Sequence, residues 1–243
     1  MFHAIKALTF DTGGTILDWH SGFRNALQTV GDRHGVTQDW ASLANELRRF
    51  SIARMRDAAN RPDNFDVAHA EAVEDLVDKY ALPFGPDEKR QIAYDAVHRF
   101  RCWPEVPGAL PQLKSHFSCV SLTILSYRIV MDTARANKLN WDAILSCEGM
   151  ASYKPDPEVY LTAARFLQLD PSECCMVAAH NFDLDAARSV GFRTAFVRRP
   201  QEWGHQAPPD PEPNPLCDIV VHGLDDLVNA AEAAHPPSAA PVP

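Results

Sequence analysis

The sequence predicts an α/β fold: a mostly parallel sheet with helices on both faces, and an all-helical segment inserted after the first strand. Three observations predict it. From Pro104 onward, short apolar runs alternate with helical ones. Residues 22–100 carry helical spacing and little β-branched content. The first apolar run also breaks at once into a glycine-rich turn, as a buried strand feeding a loop would. With 46% hydrophobic residues in 243, the chain can bury a substantial core, as one large domain or two small ones.

The opening strand is read at residues 5–10, bounded by Asp11-Thr12-Gly13-Gly14-Thr15. Within the insert, Trp40, Leu43, Leu47 and Phe50 share a face, as do Val73, Leu76, Val77 and Tyr80, which is the signature of amphipathic helices. Further strands are expected at 119–125, 143–147, 174–179, 194–197 and 219–221. After Lys154, Asp156 can cap a helix, Pro157 suits its first turn, and Val159, Ala163, Phe166 and Leu167 keep its apolar period. A second helix, beginning near Asp183, is ended by Gly191. Six prolines between Arg199 and Asp218 remove too many amide donors for regular structure, so an extended surface loop is expected there. The Ala/Pro-rich end has little to bury and is expected to be a disordered tail over 231–243. The expected division is therefore a core of 1–18 with 104–230, a helical domain of 19–103, and the tail.

A formal charge of −9 gives no long-range attraction to nucleic acid or anionic lipid, so neither is an expected partner. No apolar run approaches the roughly 18 residues that could span a bilayer, and the first ends at Asp11 without a cleavage signal. The six cysteines are scattered with no CxxC pair. Reduced thiols in an unprocessed cytoplasmic protein are the expectation.

Open α/β sheets bind ligands outside the carboxyl ends of their strands. Asp11, Ser126, Lys154 and Asp183 fall at or just beyond four such ends. Each alone has an ordinary explanation as a turn former, a strand-end hydroxyl, a solvated charge or a helix cap. Together they are what nucleophilic substitution by a carboxylate requires, because an ammonium keeps a buried carboxylate ionised and a second carboxylate can position water.

The segments Phe10-Asp11-Thr12-Gly13-Gly14-Thr15-Ile16-Leu17-Asp18, Leu122-Thr123-Ile124-Leu125-Ser126, Tyr153-Lys154-Pro155-Asp156 and Val177-Ala178-Ala179-His180-Asn181-Phe182-Asp183 resemble the four ordered motifs of the haloacid dehalogenase superfamily. Their flanks are most similar to its type II 2-haloacid dehalogenase branch, and the likeness runs over about residues 4–228. The resemblance implies a Rossmann-like core with a helical cap, and a two-step hydrolysis of a small carboxylic acid. Asp11 attacks the carbon bearing the leaving group, and water then opens the ester. Thr15 and Lys154 would hold Asp11, Ser126 would bind the substrate carboxylate, and Asp183 would orient the water. Thr12, Gly13, Asn45, Tyr127, Arg128, Tyr160 and His180 complete the implied substrate contacts, and family habit implies a homodimer.

Phosphatases of the superfamily carry a second aspartate two residues after the nucleophile and bind Mg²⁺ between motif carboxylates. Here that place is Gly13. Without an acid, release of an alkoxide loses on the order of 10²–10⁴ in rate, whereas a halide leaves as a stable anion. Carbon–halogen cleavage is therefore favoured, with no reason to require a metal or other cofactor.

Several positions depart from the branch. Gly13 replaces an aromatic wall, Ser126-Tyr127-Arg128 replaces Ser-Asn-Gly, and alignment puts Asn45 where the cap carries an arginine, with Arg48 as the alternative source of charge. The ordinary expectation for Arg48, Arg49, Arg54 and Arg56 is a solvated helix face. His180 stands where many dehalogenases have asparagine, and would make activity sensitive to mild acid. Three other readings follow from these changes: the same ester chemistry on a strained cyclic amino acid, a Mg²⁺-dependent phosphatase, and a non-catalytic binding protein.

Overall fold

In a computed structural model that describes residues 2–234, six strands pair in parallel in the order β3-β2-β1-β4-β5-β6. They are β1 (Ala7–Phe10), β2 (Ser118–Thr123), β3 (Ala143–Ser146), β4 (Cys174–Ala178), β5 (Arg193–Val197) and β6 (Ile219–Val221). All four β1 residues are buried, as expected of a strand covered on both faces. Ala7 registers against Ser118 on one side and Cys174 on the other.

Alternation along the strands divides the interior in two. Leu8, Phe10, Cys175 and Val177 pack on one face with α5 (Val106–Lys114), α6 (Tyr127–Asn137) and α9 (Leu224–Ala234). Ala7, Cys174, Met176 and Ala178 pack on the other with α7 (Pro157–Leu167) and α8 (Asn181–Ser189). Asp156 caps α7 by accepting from Glu158 N at 2.9 Å, and Gly191, at φ +99°, lies just past the end of α8.

Between β1 and α5 lie α1 (Trp19–Arg33), α2 (Trp40–Arg56), α3 (Phe65–Lys79) and α4 (Pro86–Arg90), the last continuing through irregular helical turns to Arg99. Asp18, Asp39 and Asn64 accept backbone N–H groups at the starts of α1, α2 and α3. Trp40, Leu43 and Leu47 on α2, and Val73, Leu76 and Val77 on α3, are buried, so the helical spacing does mark the packed faces.

Two expectations need correction. Residues 231–234 are the last turn of α9 rather than part of a tail, because Ala231 is fully buried against the core; residues 235–243 lie outside the described residues. The proline-rich loop after β5 has no helix or strand, yet its first part is not surface: Arg199, Glu202 and Trp203 are buried. Arg199 donates through Nε to Thr15 O at 3.0 Å and pairs with Glu105 at 2.7 Å, which pins the loop beneath the first turn. Among the described residues no helix is long and apolar enough to cross a membrane.

The chain runs β1, β2, β3 outward on one side and resumes with β4 on the other side of β1. This reversal of winding opens a crevice beyond the carboxyl ends of β1 and β4.

Candidate active site

Asp11 is the first residue after β1, its amide donating to Val177 O at 3.0 Å, which aims the side chain into that crevice. Thr15 Oγ1 donates to Asp11 Oδ2 at 2.8 Å while accepting from Ala179 N at 2.9 Å, so the loops after β1 and β4 are locked together. Lys154 Nζ stands 2.7 Å from Asp183 Oδ2 and 3.4 Å from Asp11 Oδ1. Tyr160, from α7, donates to Asp183 Oδ1 at 2.5 Å. His180, the residue before α8, places Nδ1 3.2 Å from Asp11 Oδ2 and Nε2 3.1 Å from Glu202 Oε1.

Burial favours the neutral form of each carboxyl, and the neighbours decide the outcome. For Asp11, Lys154, His180 and Thr15 outweigh burial and hold the carboxyl below its ordinary range, so it is an anion. For Asp183, burial and the nearby Asp11 charge win over Lys154, and its carboxyl is pushed up. Burial works against the charge on Lys154, yet Asp183 and Asp11 raise it above its ordinary value. His180 is likewise buried, but Glu202 and Asp11 lift it well above the ordinary imidazole value, making it an imidazolium. The negative charge that the paired carboxylates would offer a cation is met by the Lys154 ammonium.

Above Asp11 lies a cavity of ≈460 Å³. Asp11, Lys154, His180, Glu202 and Arg48 line its polar part, and Ile52, Met55, Ile124, Tyr153, Phe182 and Trp203 its apolar part. Arg48 is 5% exposed, its guanidinium lying 5.4 Å from the Trp19 ring centroid and 5.5 Å from that of Phe65. Burial lowers its pKa, against the charges of Glu202 and Asp11, although a guanidinium stays protonated.

Of the residues expected from sequence, Asp11, Gly13, Lys154 and His180 line the cavity, with Thr15, Asp183 and Tyr160 directly behind them. The others are placed elsewhere. Thr12 shares a hydrogen bond with Ser121 Oγ at 2.9 Å beneath the site. Asn45 is turned away, donating to Trp203 O at 3.1 Å, and Arg48, one helical turn on, supplies the charge from α2. Ser126 caps α6 and donates to Asp66 of α3, while the Tyr127 amide donates to Glu148 at 2.8 Å. Both groups are thus already committed to carboxylates of the protein. Arg128 is exposed and paired with Asp132 at 2.8 Å.

Glu202 and Trp203 were not found by sequence reading, because a proline-rich loop gives no periodic signal that any one of its residues turns inward. The space for Glu202 is made by Gly14, at φ +94°, where a Cβ would lie 2.0 Å from Glu202 Oε1.

Comparison with known proteins agrees with this geometry. The family profile of haloacid dehalogenase-like hydrolases matches residues 5–191. An (S)-2-haloacid dehalogenase of Pseudomonas sp. (strain CBS-3) is 29% identical over 205 residues, spanning 82% of this chain and 88% of its own. One from Burkholderia cepacia is 28% identical, spanning 93% and 95%. The crystal structure of the L-2-haloacid dehalogenase PA0810 superposes with a TM-score of 0.87 at 31% identity, covering 94% of this chain and 99% of that one. The defluorinating L-2-haloacid dehalogenase Rha0230 gives a TM-score of 0.87 at 29% identity, covering 94% and 95%. With three of the four strand-end motifs meeting at Asp11 and the match extending over the inserted helices and the sheet alike, the chain belongs to the haloacid dehalogenase-like hydrolase family, in its type II branch.

Proposed function

We propose that the chain hydrolyses the carbon–halogen bond of 2-halo carboxylic acids through an ester on Asp11. The observation that carries this reading is Asp11 itself: an ionised carboxylate at the floor of a cavity, held by Thr15, Lys154 and His180, with Gly13 and no acid two residues on. The names of the curated relatives, (S)-2-haloacid dehalogenases, support the same chemistry.

In this reading residues 19–103 act as a cap over a core of 1–18 with 104–230, and the substrate sits between them. Arg48, rather than Asn45 or Ser126, meets the substrate's negative charge. One Asp11 oxygen forms a bond to C2 of the substrate as the carbon–halogen electron pair departs with the halide. Water then adds to the Asp11 carboxyl carbon and passes one proton to Asp183; collapse expels the alkoxide of the 2-hydroxy acid, which takes the other proton of the added water from the Asp11 carboxyl and so regenerates the carboxylate, while Asp183 gives its proton up to solvent. Lys154, between the two carboxylates, stays charged throughout.

The test is chloride release from (S)-2-chloropropionate, with one turnover in H₂¹⁸O under excess enzyme. Label is expected on Asp11, and Asp11→Asn is expected to abolish release while the protein stays folded. Label appearing only in the product would mean direct attack by water. Phosphate release from simple esters, or an amine from a cyclic imino acid, with no chloride from 2-chloropropionate, would replace the proposed bond with another.

A further inference from the structure

The two oxygens of Asp11 are held unequally. Oδ2 has Thr15 Oγ1 at 2.8 Å and His180 Nδ1 at 3.2 Å, whereas Oδ1 has, among the described residues, Lys154 alone, at 3.4 Å. The asymmetry depends on how the His180 ring is turned, and that is controlled from its far side. Glu202 is 3% exposed, and its Oε1 lies 3.1 Å from His180 Nε2 while accepting Trp19 Nε1 at 2.9 Å. The carboxylate is fixed in turn by its loop: Glu202 N donates to Arg199 O at 3.0 Å, Arg199 is anchored on Thr15 O, and Trp203 packs edge-on against Trp19 at 4.9 Å. The Phe182 ring stacks on the imidazole at 5.7 Å and limits its rotation. A chain of contacts therefore runs Trp19, Glu202, His180, Asp11, through groups brought together from α1, the β5–β6 loop, the end of β4 and the end of β1.

We propose that Glu202 is a positioning residue, which holds the His180 ring so that Nδ1 stays on Asp11 Oδ2 and leaves Oδ1 to attack the substrate. The proposal rests on the ester reading above and deepens it. Oδ2 then becomes the carbonyl oxygen of the ester. When water adds to the carboxyl carbon, the negative charge develops on Oδ2, where the Thr15 hydroxyl and the His180 N–H already stand. Donors placed in advance at a developing oxyanion are worth about 10²–10³ in rate each. If Oδ2 attacked instead, both of these contacts would be lost from the nucleophile and neither would meet the oxyanion.

The charged groups facing or flanking His180 are Asp11 just after β1, Glu202 and Asp210 from the β5–β6 loop, Arg48, Arg49 and Arg56 from α2, Lys154 from the loop before α7, and Asp183 from α8. Among the described residues only Asp11 and Glu202 touch the ring nitrogens, so neutralising Glu202 removes one of the two anions that keep the imidazolium protonated.

The experiment is Glu202→Gln, which keeps an acceptor for Trp19 and removes the charge. The His180 ring nitrogens are titrated by NMR in the whole protein, and the pH profile of chloride release is recorded alongside. In the wild type His180 is expected to keep both ring protons well above the ordinary imidazole range. In Glu202→Gln it is expected to lose one at least about one pH unit lower, with kcat falling about 10–100-fold on the alkaline side. In a His180→Asn background, Glu202→Gln is expected to change kcat and its pH profile no further, because the relay has lost its middle member. An unshifted His180 titration with an unshifted pH profile overturns the proposal, as does a full effect of Glu202→Gln in the His180→Asn background. The ring titration needs no substrate: if no halide is released from any 2-halo acid, the dyad still stands or falls on it, separately from the ester reading. If Glu202→Gln does not fold, a wild-type His180 that titrates near its ordinary value of about 6.5 overturns the proposal, and one that stays protonated well above that value supports it.

Discussion

Gly13 and Arg48 share one space: a Cβ built on residue 13 would lie 2.9 Å from Arg48 Nη2. The glycine, two residues after Asp11, admits a cation from α2 to the site, where the resemblance to type II dehalogenases calls for an aromatic wall. Gly13→Tyr should push the guanidinium aside and lower kcat/KM for 2-chloropropionate about 10–100-fold, close to the loss in Arg48→Ala. The double variant should be no worse than the worse single one. Additive losses in a double-mutant cycle would show that the two positions act separately.

Asp183 is the group that the proposed second step uses, and Tyr160 and Lys154 hold both of its oxygens. Asp183→Asn should leave ester formation faster than ester hydrolysis. The expected result is a burst of one halide per enzyme, followed by turnover about 10²–10⁴ slower, with the ester visible by intact mass. Turnover lost with no burst and no adduct would place Asp183 in the first step instead.

The cavity of ≈460 Å³ falls within the ~300–1,000 Å³ range of pockets that take ligands far larger than a three-carbon acid. Its apolar side, formed by Ile52, Met55, Ile124 and Trp203, offers burial of roughly 0.8 kcal/mol per added methylene. The ratio of kcat/KM for 2-chlorohexanoate to that for 2-chloropropionate should exceed about 10. Met55→Trp, which fills this side, should reduce that ratio. A ratio below one in the wild type would show that the apolar space is closed to the substrate.

His98 joins the helical segment to the core, with Nε2 2.7 Å from Asp66 on α3 and Nδ1 2.9 Å from Asp132 on α6. Burial works against its charge, but these bonds outweigh it and raise the imidazole above its ordinary value. Burial likewise opposes ionisation of Asp66 and Asp132; bonds from His98, with Ser126 on Asp66 and Arg128 on Asp132, lower both. The histidine's contribution is therefore complete below about pH 6.5 and lost as pH rises through its folded-state value. The aspartates' contribution is present above about pH 4 and lost on acidification. His98→Gln should cost about 1.5–3 kcal/mol at pH 6 by urea unfolding and progressively less at alkaline pH. A cost independent of pH from 6 to 9 would mean that His98 contributes by packing alone.

Much of the site was legible because its signals are local. Asp11 follows an apolar strand directly, Lys154 precedes a capped helix, and His180 and Asp183 bracket the start of α8, so neighbouring residues fix where each points. Apart from Thr12, the expected residues that neither line the cavity nor stand directly behind it lie on the helical segment and its seam with the core. Asn45 and Arg48 both sit on α2, and which one faces the cavity depends on the rotation of that helix against the sheet. Ser126 and Tyr127 were placed by analogy with a substrate-binding motif, but their donors go to Asp66 and Glu148, carboxylates far from them in sequence.

The amino-acid order by itself determined the parallel sheet, the helical insertion and the place of Asp11 at the tip of β1, because hydrophobic period and turn chemistry are properties of consecutive residues. Only the tertiary structure decided that Arg48 enters the cavity and that Glu202 returns from an irregular loop to fasten His180. Those contacts are made across 35 residues in one case and 22 in the other, between Gly13 and Arg48 and between His180 and Glu202, where no periodic pattern carries the information. They are settled by which side chains can share the space left by two glycines.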